Sequence, residues 1–274
     1  MRHIFTYLLS GICLLFSEAV YAQAINSGGK PIYIDPLPVL TEGEGDKKWR
    51  GLIGMGVGTA PTFIGSNQYE TGVTLDLQLS WNDKLFLDNT RLGLVLYQKP
   101  FLRAGIIGRW NLGRRQDIMY VQNDGASDPD IWEAGAFVGT TLYKLFATAE
   151  IYYGLRGTGG SINAELEAGY TIEPTSKLRL TPVIGVNWGS GLFIDKVFSG
   201  NANMRALANF KPDSGIYEMF AEMNAEQQLG KNWLLKATLR ASRLKDSAAF
   251  SSVVQSEFGS RQQFTGFLGL VRRF

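Results

Sequence analysis

Residues Gly72–Trp81 read Gly-Val-Thr-Leu-Asp-Leu-Gln-Leu-Ser-Trp. The odd-numbered positions from Val73 to Trp81 are apolar, and the even-numbered positions from Thr74 to Ser80 are polar. Successive side chains on a β-strand point to opposite faces, so this segment predicts a strand with one apolar and one polar face. The pattern recurs along most of the chain. It is typical of an outer-membrane β-barrel, in which the apolar face meets lipid and the polar face lines the lumen.

Residues 1–22 predict an export signal. Arg2-His3 is a short basic start, Ile4–Phe16 is an apolar stretch too short to span a bilayer, and Val20-Tyr21-Ala22 is typical of a cleavage site. We therefore expect the mature chain to begin near Gln23. Such a leader implies export from the cytoplasm.

The predicted signal contains Cys13 and His3, which are the one Cys and the one His of the sequence. A mature chain without them has no disulfide, no Cys nucleophile, no His-based catalytic triad and no metal site built on His or Cys. Carboxylate, Lys, Ser and Tyr chemistry would remain.

Two carboxylate pairs are the remaining candidates for catalysis. Glu165 and Glu167 share one face of a predicted strand, and so do Glu222 and Glu226. Acid and base pairs of this kind cleave glycosidic bonds, but lumen patterning alone explains the spacing. We predict a protein that is not an enzyme and has no cofactor.

The bulk composition fits a barrel. Lys and Arg total 27 and Asp and Glu total 25, so the net charge of +2 gives no indication of a nucleic-acid partner. The hydrophobic share is 45% and the mean hydropathy is -0.04. Barrels have such ordinary values because half of each strand faces the lumen.

The alternation predicts an all-β fold, a transmembrane antiparallel up-and-down barrel of about twelve strands, with ten as the alternative. The predicted strands lie near Trp49–Thr59, Glu70–Trp81, Lys84–Asp88, Arg91–Gln98, Phe101–Leu112, Ile131–Tyr143, Leu145–Arg156, Ser161–Glu173, Lys177–Trp188, Tyr217–Leu229, Asn232–Leu244 and Gln262–Phe274. A soluble β-sandwich is the other interpretation of the same pattern.

The predicted connections alternate between short turns and longer loops. The longer ones are Ala60–Tyr69, Gly113–Asp130, Gly189–Ile216 and Lys245–Arg261. Bacterial barrels have short periplasmic turns and long outer loops, so both termini are expected in the periplasm of a Gram-negative bacterium. Residues Arg243–Val254, at the start of the fourth longer loop, are expected to form a short helix or a loop that folds into the outer end of the barrel.

Residues 23–48 form a predicted N-terminal arm before a barrel that spans 49–274. Pro31, Pro36 and Pro38 disfavour both a helix and a central strand there. The arm is interpreted as a periplasmic segment that binds a partner, as a plug inside the barrel, or as an unstructured leader.

The predicted lumen faces carry many charges. The candidate lumen network comprises Asp76, Arg103, Arg109, Glu150, Glu165, Glu167, Arg179, Glu222, Glu226, Lys236 and Arg240, and Arg156 and Glu218 share this phase. Facing strands are expected to bring Glu165 and Glu167 to Arg179, and to bring Glu222 and Glu226 to Lys236 and Arg240. Because buried charges must pair or meet water, the network is either a structural filling of the barrel or an ion or solute path.

Aromatic residues near the strand ends predict the two girdles of a membrane barrel. The residues are Trp49, Trp81, Trp110, Trp132, Tyr143, Trp188, Tyr217 and Trp233. Outer-membrane lipid and lipopolysaccharide are the surroundings that such girdles imply.

Three segments resemble the MltA-interacting protein family, MipA/OmpV. Gly58–Tyr69 is similar to the Ala-Pro, Gly-Ser and Tyr segment that follows the family's first strand. Arg243–Gln263 resembles its penultimate loop, and Phe267–Phe274 resembles its closing strand. Arg272 stands where the family usually has Tyr, and Gly189–Ile216 lacks the family's Tyr-Phe-Gly-Val.

The resemblance implies an outer-membrane barrel that scaffolds murein enzymes by joining a lytic transglycosylase to a murein synthase. The terminal Phe274 is the residue type that the barrel-assembly machinery reads. Two other functions remain open: a narrow channel for small solutes or ions, and a surface adhesin or envelope-stress protein acting through the long loops.

Overall fold

The computed structural model describes residues 48–111, 131–199 and 210–274. The predicted signal, all of the predicted arm except Lys48, and the predicted loop Gly113–Asp130 lie outside these residues.

Most of the described chain is β-strand. The strands are β1 Trp49–Pro61, β2 Tyr69–Trp81, β3 Leu85–Asp88, β4 Arg91–Lys99, β5 Leu102–Asn111, β6 Ile131–Leu142, β7 Leu145–Arg156, β8 Ile162–Tyr170, β9 Ile172–Thr175, β10 Leu178–Gly189, β11 Gly215–Gln228, β12 Trp233–Leu244 and β13 Gln262–Arg273.

These strands close into an antiparallel barrel. Consecutive strands pair from β1 to β8 and from β10 to β13, β13 pairs with β1, and β10 also pairs with β8. Strand β9 pairs with the same strand, β10, as β8 does, so β8 and β9 together form one interrupted strand of the wall. The wall therefore has 12 strands. The predicted twelve-strand barrel is confirmed, and the ten-strand and sandwich alternatives are wrong.

The two ends of the barrel differ, and we call them the turn end and the loop end. The turn end carries the short connections 82–84, 100–101, 143–144, 176–177 and 229–232, together with the start of β1 and the end of β13. The loop end carries the connections 62–68, 157–161, 190–214 and 245–261. In the connection 82–84, Asn82 and Asp83 have φ values of 50° and 57°, a left-handed pair that suits a tight hairpin turn.

The hairpin of β3 and β4 is shorter than the wall around it. It turns at Asn89-Thr90, where the Asn89 N–H donates to the Leu77 carbonyl at 2.8 Å, partway along β2. Among the described residues, no strand pairs with the β2 stretch 69–76 on this side.

Three short helices fold over the loop end. They are α1 Gly191–Phe198, α2 Asp246–Ala249 and α3 Ser252–Gln255. Ser190 caps α1 by accepting from the Phe193 N–H at 3.3 Å, and Ser251 caps α3 by accepting from the Val254 N–H at 3.3 Å. The short helix predicted within Arg243–Val254 is therefore confirmed as two helices.

The helices enclose an apolar cluster, which we call the mouth cluster. Its buried members are Phe193, Ile194, Val197, Phe198, Tyr217, Leu244, Ala248, Ala249 and Val254. Phe198 and Val253 are both 0% exposed, so this end of the barrel has a packed interior of its own. None of the helices that the structure describes has the length and apolar character to cross a bilayer.

The aromatic girdles follow the prediction with one correction. Trp49 and Trp81 pair in register at the turn end, and Trp110 and Trp132 pair at the loop end, each with ring centroids 6.4 Å apart. Tyr217 is not part of a girdle, because it is buried in the mouth cluster. A β-bulge between Asn187 and Trp188 skips Tyr217, so Tyr217 and Glu218 both point inward.

Candidate functional site

The polar lumen is the candidate site, and the predicted charges line it. Seven of the predicted residues are buried: Asp76, Arg103, Glu150, Glu165, Glu222, Lys236 and Arg240. Arg109, Glu167, Arg179 and Glu226 are half-buried. Arg156 is exposed at the loop end, beyond the bulge at Trp132 and Glu133.

The first cross-lumen bridge joins β12 to β2. The Lys236 ammonium donates to the Asp76 carboxylate at 2.7 Å, and the two side chains are 3% and 0% exposed. Strands β13 and β1 lie between them in the wall. Lys236 is opposite Gly269, and Gly269 is opposite Gly56, so the lysine crosses a surface without side chains.

The second bridge joins β4 to β7. Arg91 donates to Glu150 at 3.1 and 3.2 Å and to Asp88 at 3.1 Å, and Tyr152 donates to Glu150 at 2.7 Å. All four side chains are buried. The sequence analysis missed Asp88 and Arg91. The neighbouring lumen-facing residues Phe86 and Val95 are apolar and Gly93 has no side chain, so the sequence does not show which residues of this short hairpin face the lumen.

The third bridge joins β5 to β6 and β8. Arg109 contacts Glu133 at 2.6 Å and Glu165 at 3.7 Å, and it donates to Asn163 at 2.9 Å. Its guanidinium also lies 4.0 Å from the centre of the Tyr152 ring. Glu133 was missed by the sequence analysis, although it pairs in register with Arg109 across β5 and β6.

Arg240 completes the charged layer on the opposite wall. It donates to Glu218 at 3.1 Å and lies 3.8 Å from Glu222, both on the adjacent strand β11. Its guanidinium lies 3.6 Å over the Phe220 ring, and Asn187 donates to Glu218 at 2.6 Å. The expected approach of Glu222 to Arg240 is therefore confirmed.

Arg179 has different partners from those predicted. It lies 3.7 Å from Glu173 and 3.5 Å from Glu226, so the prediction that Glu165 and Glu167 meet Arg179 is wrong. The register explains the error, because Glu165 is opposite Asn187 and Glu167 is opposite Gly185, several residues along β10 from Arg179. Glu226 is opposite Lys236 as predicted, but Lys236 reaches across the lumen to Asp76 instead.

Phenylalanine rings cover glycines on neighbouring strands of the same lumen wall. The pairs in register are Phe86 with Gly93, Phe137 with Gly105, Phe146 with Gly169 and Phe220 with Gly185. A Cβ on Gly93 would lie 2.1 Å from the Phe86 ring, so ring and glycine occupy one site together. These pairs cover the parts of the lumen wall that carry no charged side chain.

The lumen chemistry is that of paired charges. In the first bridge one Lys faces one carboxylate, and in the second and third bridges one Arg faces two carboxylates. Within the described part of the chain, no group of three or more His, Cys, Asp or Glu could hold a metal ion. The arrangement can hold the wall together and can order water or small ions between the bridges.

Comparison with known proteins places the fold in context. The translocator domain of autotransporter NalP from Neisseria meningitidis is similar at 11% identity and a TM-score of 0.42, over 85% of this chain and 90% of that one. OmpT of Vibrio cholerae is similar at 7% identity and a TM-score of 0.37, over 84% and 98%. The CymD monoaromatic hydrocarbon channel is similar at 12% and 0.39, over 83% and 88%. These likenesses are too weak to carry a functional argument.

No match was found among curated proteins. A family model, however, matches residues 53–274, which include almost all of the barrel. That family is described as MltA-interacting protein MipA. The match agrees with the closed twelve-strand wall, its outward apolar face and its two aromatic girdles. The chain is an outer-membrane β-barrel and belongs to the MltA-interacting protein MipA family.

Proposed function

We propose that the chain is a closed, non-catalytic barrel that holds murein enzymes at the periplasmic face of the outer membrane. The family description, which names interaction with MltA, a lytic transglycosylase, is the starting point. The observation that carries the proposal is the lumen, whose described charges are buried and joined in bridges between strands, with the mouth cluster over one end. A barrel of this kind would act through its exposed ends.

The turn end is the surface proposed for the partner. Short turns face the periplasm in bacterial barrels. The chain enters β1 at this end through Lys48, so residues 23–48 would extend from it into the periplasm. The arm and the turns together would hold a lytic transglycosylase and a murein synthase, with lipid and lipopolysaccharide around the wall and the assembly machinery recognising Phe274 at biogenesis.

Site-specific photo-crosslinking in living cells tests this assignment. A photoreactive residue at Lys231, in a turn, is expected to give an adduct with a lytic transglycosylase. The same residue at Lys211, in the connection between β10 and β11, is the matched control and is expected to give none. Adducts from Lys211 alone would contradict the proposal.

A narrow channel is the second candidate, and the polar lining favours it. Several buried polar atoms lack a hydrogen-bond partner in the structure, among them Asp76 Oδ1 and Asn187 Oδ1, and ordered water would satisfy them. Planar-bilayer recording separates the two candidates. The scaffold predicts a silent barrel, whereas ion conductance that changes in Arg109→Ala or Glu222→Ala would establish the channel.

A further inference from the structure

The turns carry a ring of lysines, one in or beside each short connection. Its members are Lys48, Lys84, Lys99, Lys144, Lys177 and Lys231, and all six are exposed. We call this set the turn-end lysine ring. Neighbouring turns are two strands apart, so adjacent lysines are spaced by roughly 10 Å around the mouth.

Among the residues that the structure describes, the acidic side chains at this end are already paired. Asp83 bonds Arg50, Glu173 lies 3.2 Å from Lys144 and 3.7 Å from Arg179, and Glu226 lies 3.5 Å from Arg179. Lys48, Lys84, Lys99, Lys177 and Lys231, by contrast, make no ion pair with any residue that the structure describes. Within the described part of the chain, the turn end therefore carries an excess of positive charge.

The loop end differs in its charge balance. There the exposed cations Arg156, Lys196, Lys211 and Arg243 stand among the carboxylates of Asp213, Asp246 and Glu257, which are also exposed. Among the described residues, the larger excess of positive charge is thus at the turn end. An asymmetry of this kind indicates a negatively charged partner on that side.

The form of the ring argues against a compact protein epitope. Specific protein interfaces are depleted in Lys and depend on a central apolar or aromatic anchor. The ring instead spreads single, flexible cations around a circumference. Such an array suits an extended polyanion that contacts many weak sites together.

The position of the ring argues against membrane lipid as its main ligand. Trp81 and Trp233 point outward at the strand ends, where barrel aromatics mark the level of the headgroups. Lys84 and Lys231 lie beyond these residues, in the turns themselves. Their ammonium groups therefore face the water below the membrane.

We propose that the turn-end lysine ring binds murein directly, through the free carboxylates of its peptide stems. The proposal rests on the proposed function in one respect, which is that the turn end faces the periplasm. It adds a second ligand class, because the lysine side chains of the ring would hold the polymer while the arm and the rest of the turn end hold the enzymes. A scaffold built this way would keep its enzymes beside their substrate.

Co-sedimentation with insoluble murein sacculi tests the proposal. The full chain, folded in a zwitterionic detergent, is mixed with sacculi at low salt, and the bound fraction is measured after centrifugation. The triple variant Lys84→Gln/Lys99→Gln/Lys231→Gln is expected to lose roughly tenfold or more in apparent affinity, because each lysine contributes to a salt-screened attraction. The control, Lys196→Gln/Lys211→Gln/Lys245→Gln, removes the same charge from the loop end and is expected to bind like the wild type.

Two further measurements identify the ligand. Stem-free glycan strands, which an amidase releases from sacculi in soluble form, are added as a competitor and are expected not to displace the barrel from intact sacculi. Vesicles of phosphatidylglycerol are expected to distinguish the variants less than sacculi do. Equal binding of both variants to sacculi, displacement by stem-free glycan, or a loss seen only on vesicles would each overturn the proposal. Capture of a lytic transglycosylase, which tests the proposed scaffold, is measured without murein. Failure of the scaffold proposal is therefore distinguishable from failure of murein binding.

Discussion

Lys236 and Asp76 form an ion pair across the lumen, although two strands separate them in the wall. The ammonium and carboxylate are 2.7 Å apart, and neither side chain is more than 3% exposed. The glycines at 54, 56 and 269 leave the intervening surface flat enough for the lysine to cross. Arg91 with Glu150, and Arg109 with Glu165, span equal numbers of strands. The barrel is thus braced internally by pairs that its strand order alone does not bring together.

Breaking the first bridge is expected to destabilise the barrel. Lys236→Met leaves Asp76 buried without its partner, and removing one member of a buried pair costs about 3–5 kcal/mol. Urea unfolding in phospholipid vesicles measures the change. The double variant Asp76→Asn/Lys236→Met removes both charges and is expected to recover at least half of the loss. A single variant within about 0.5 kcal/mol of the wild type would contradict the role of the bridge.

Replacing a glycine beneath Lys236 by a large residue is also expected to destabilise the barrel. A Cβ on Gly56 would lie 2.5 Å from Gly269 Cα, so Gly56→Leu both crowds the neighbouring strand and obstructs Lys236. Overpacking of this kind costs about 1–3 kcal/mol. The folded fraction is read from the heat-dependent shift in gel mobility. Val57→Leu, on the outward face at 54% exposure, is the control and is expected to fold normally.

The mouth cluster is expected to protect the loop-end helices from proteolysis. Val253 is 0% exposed and lies in α3 beside Val254 of the cluster, so Val253→Asp buries a charge next to the cluster and is expected to release α2 and α3. Trypsin added to the folded barrel should then cut after Lys245 or Arg261, and mass spectrometry locates the cut. Gln255→Asp adds the same charge at an exposed position two residues away and is expected to stay resistant. Equal cleavage of both variants would show that the cluster does not hold these helices.

The proposed orientation can be checked with single cysteines, because the expected mature chain contains none. Lys211→Cys at the loop end is expected to react with a membrane-impermeant maleimide on intact cells. Lys231→Cys at the turn end is expected to react only after the outer membrane is permeabilised. The reverse pattern would place the short turns outside the cell and would remove the basis for a periplasmic scaffold.

The wall of the barrel was predictable from sequence because period-two alternation is local. Twelve strands, their turns and their outward aromatics follow from residues within one strand or one hairpin. Even the short β3 and β4 were predicted within one residue at each boundary, because Asn82-Asp83 marks a tight turn.

The lumen contacts were less predictable because they depend on register and on which side chains are small. Alternation places Lys236 and Asp76 in the lumen, but it does not indicate that glycines clear the path between them. The position of Arg179 beside Glu173 and Glu226 depends on the exact pairing of β10. Tyr217 turns inward because of a single bulge, for which the local sequence gives no signal.

The most direct test of the central claim is a capture experiment with purified components. The full barrel and a variant lacking residues 23–48 are immobilised in detergent and exposed to a purified lytic transglycosylase of the same organism. The account predicts saturable binding to the full barrel and a loss of at least tenfold in affinity with the variant, while both barrels remain folded by gel mobility. Absence of binding to the full barrel, together with ion conductance in a planar bilayer, would contradict the scaffold and establish the channel in its place.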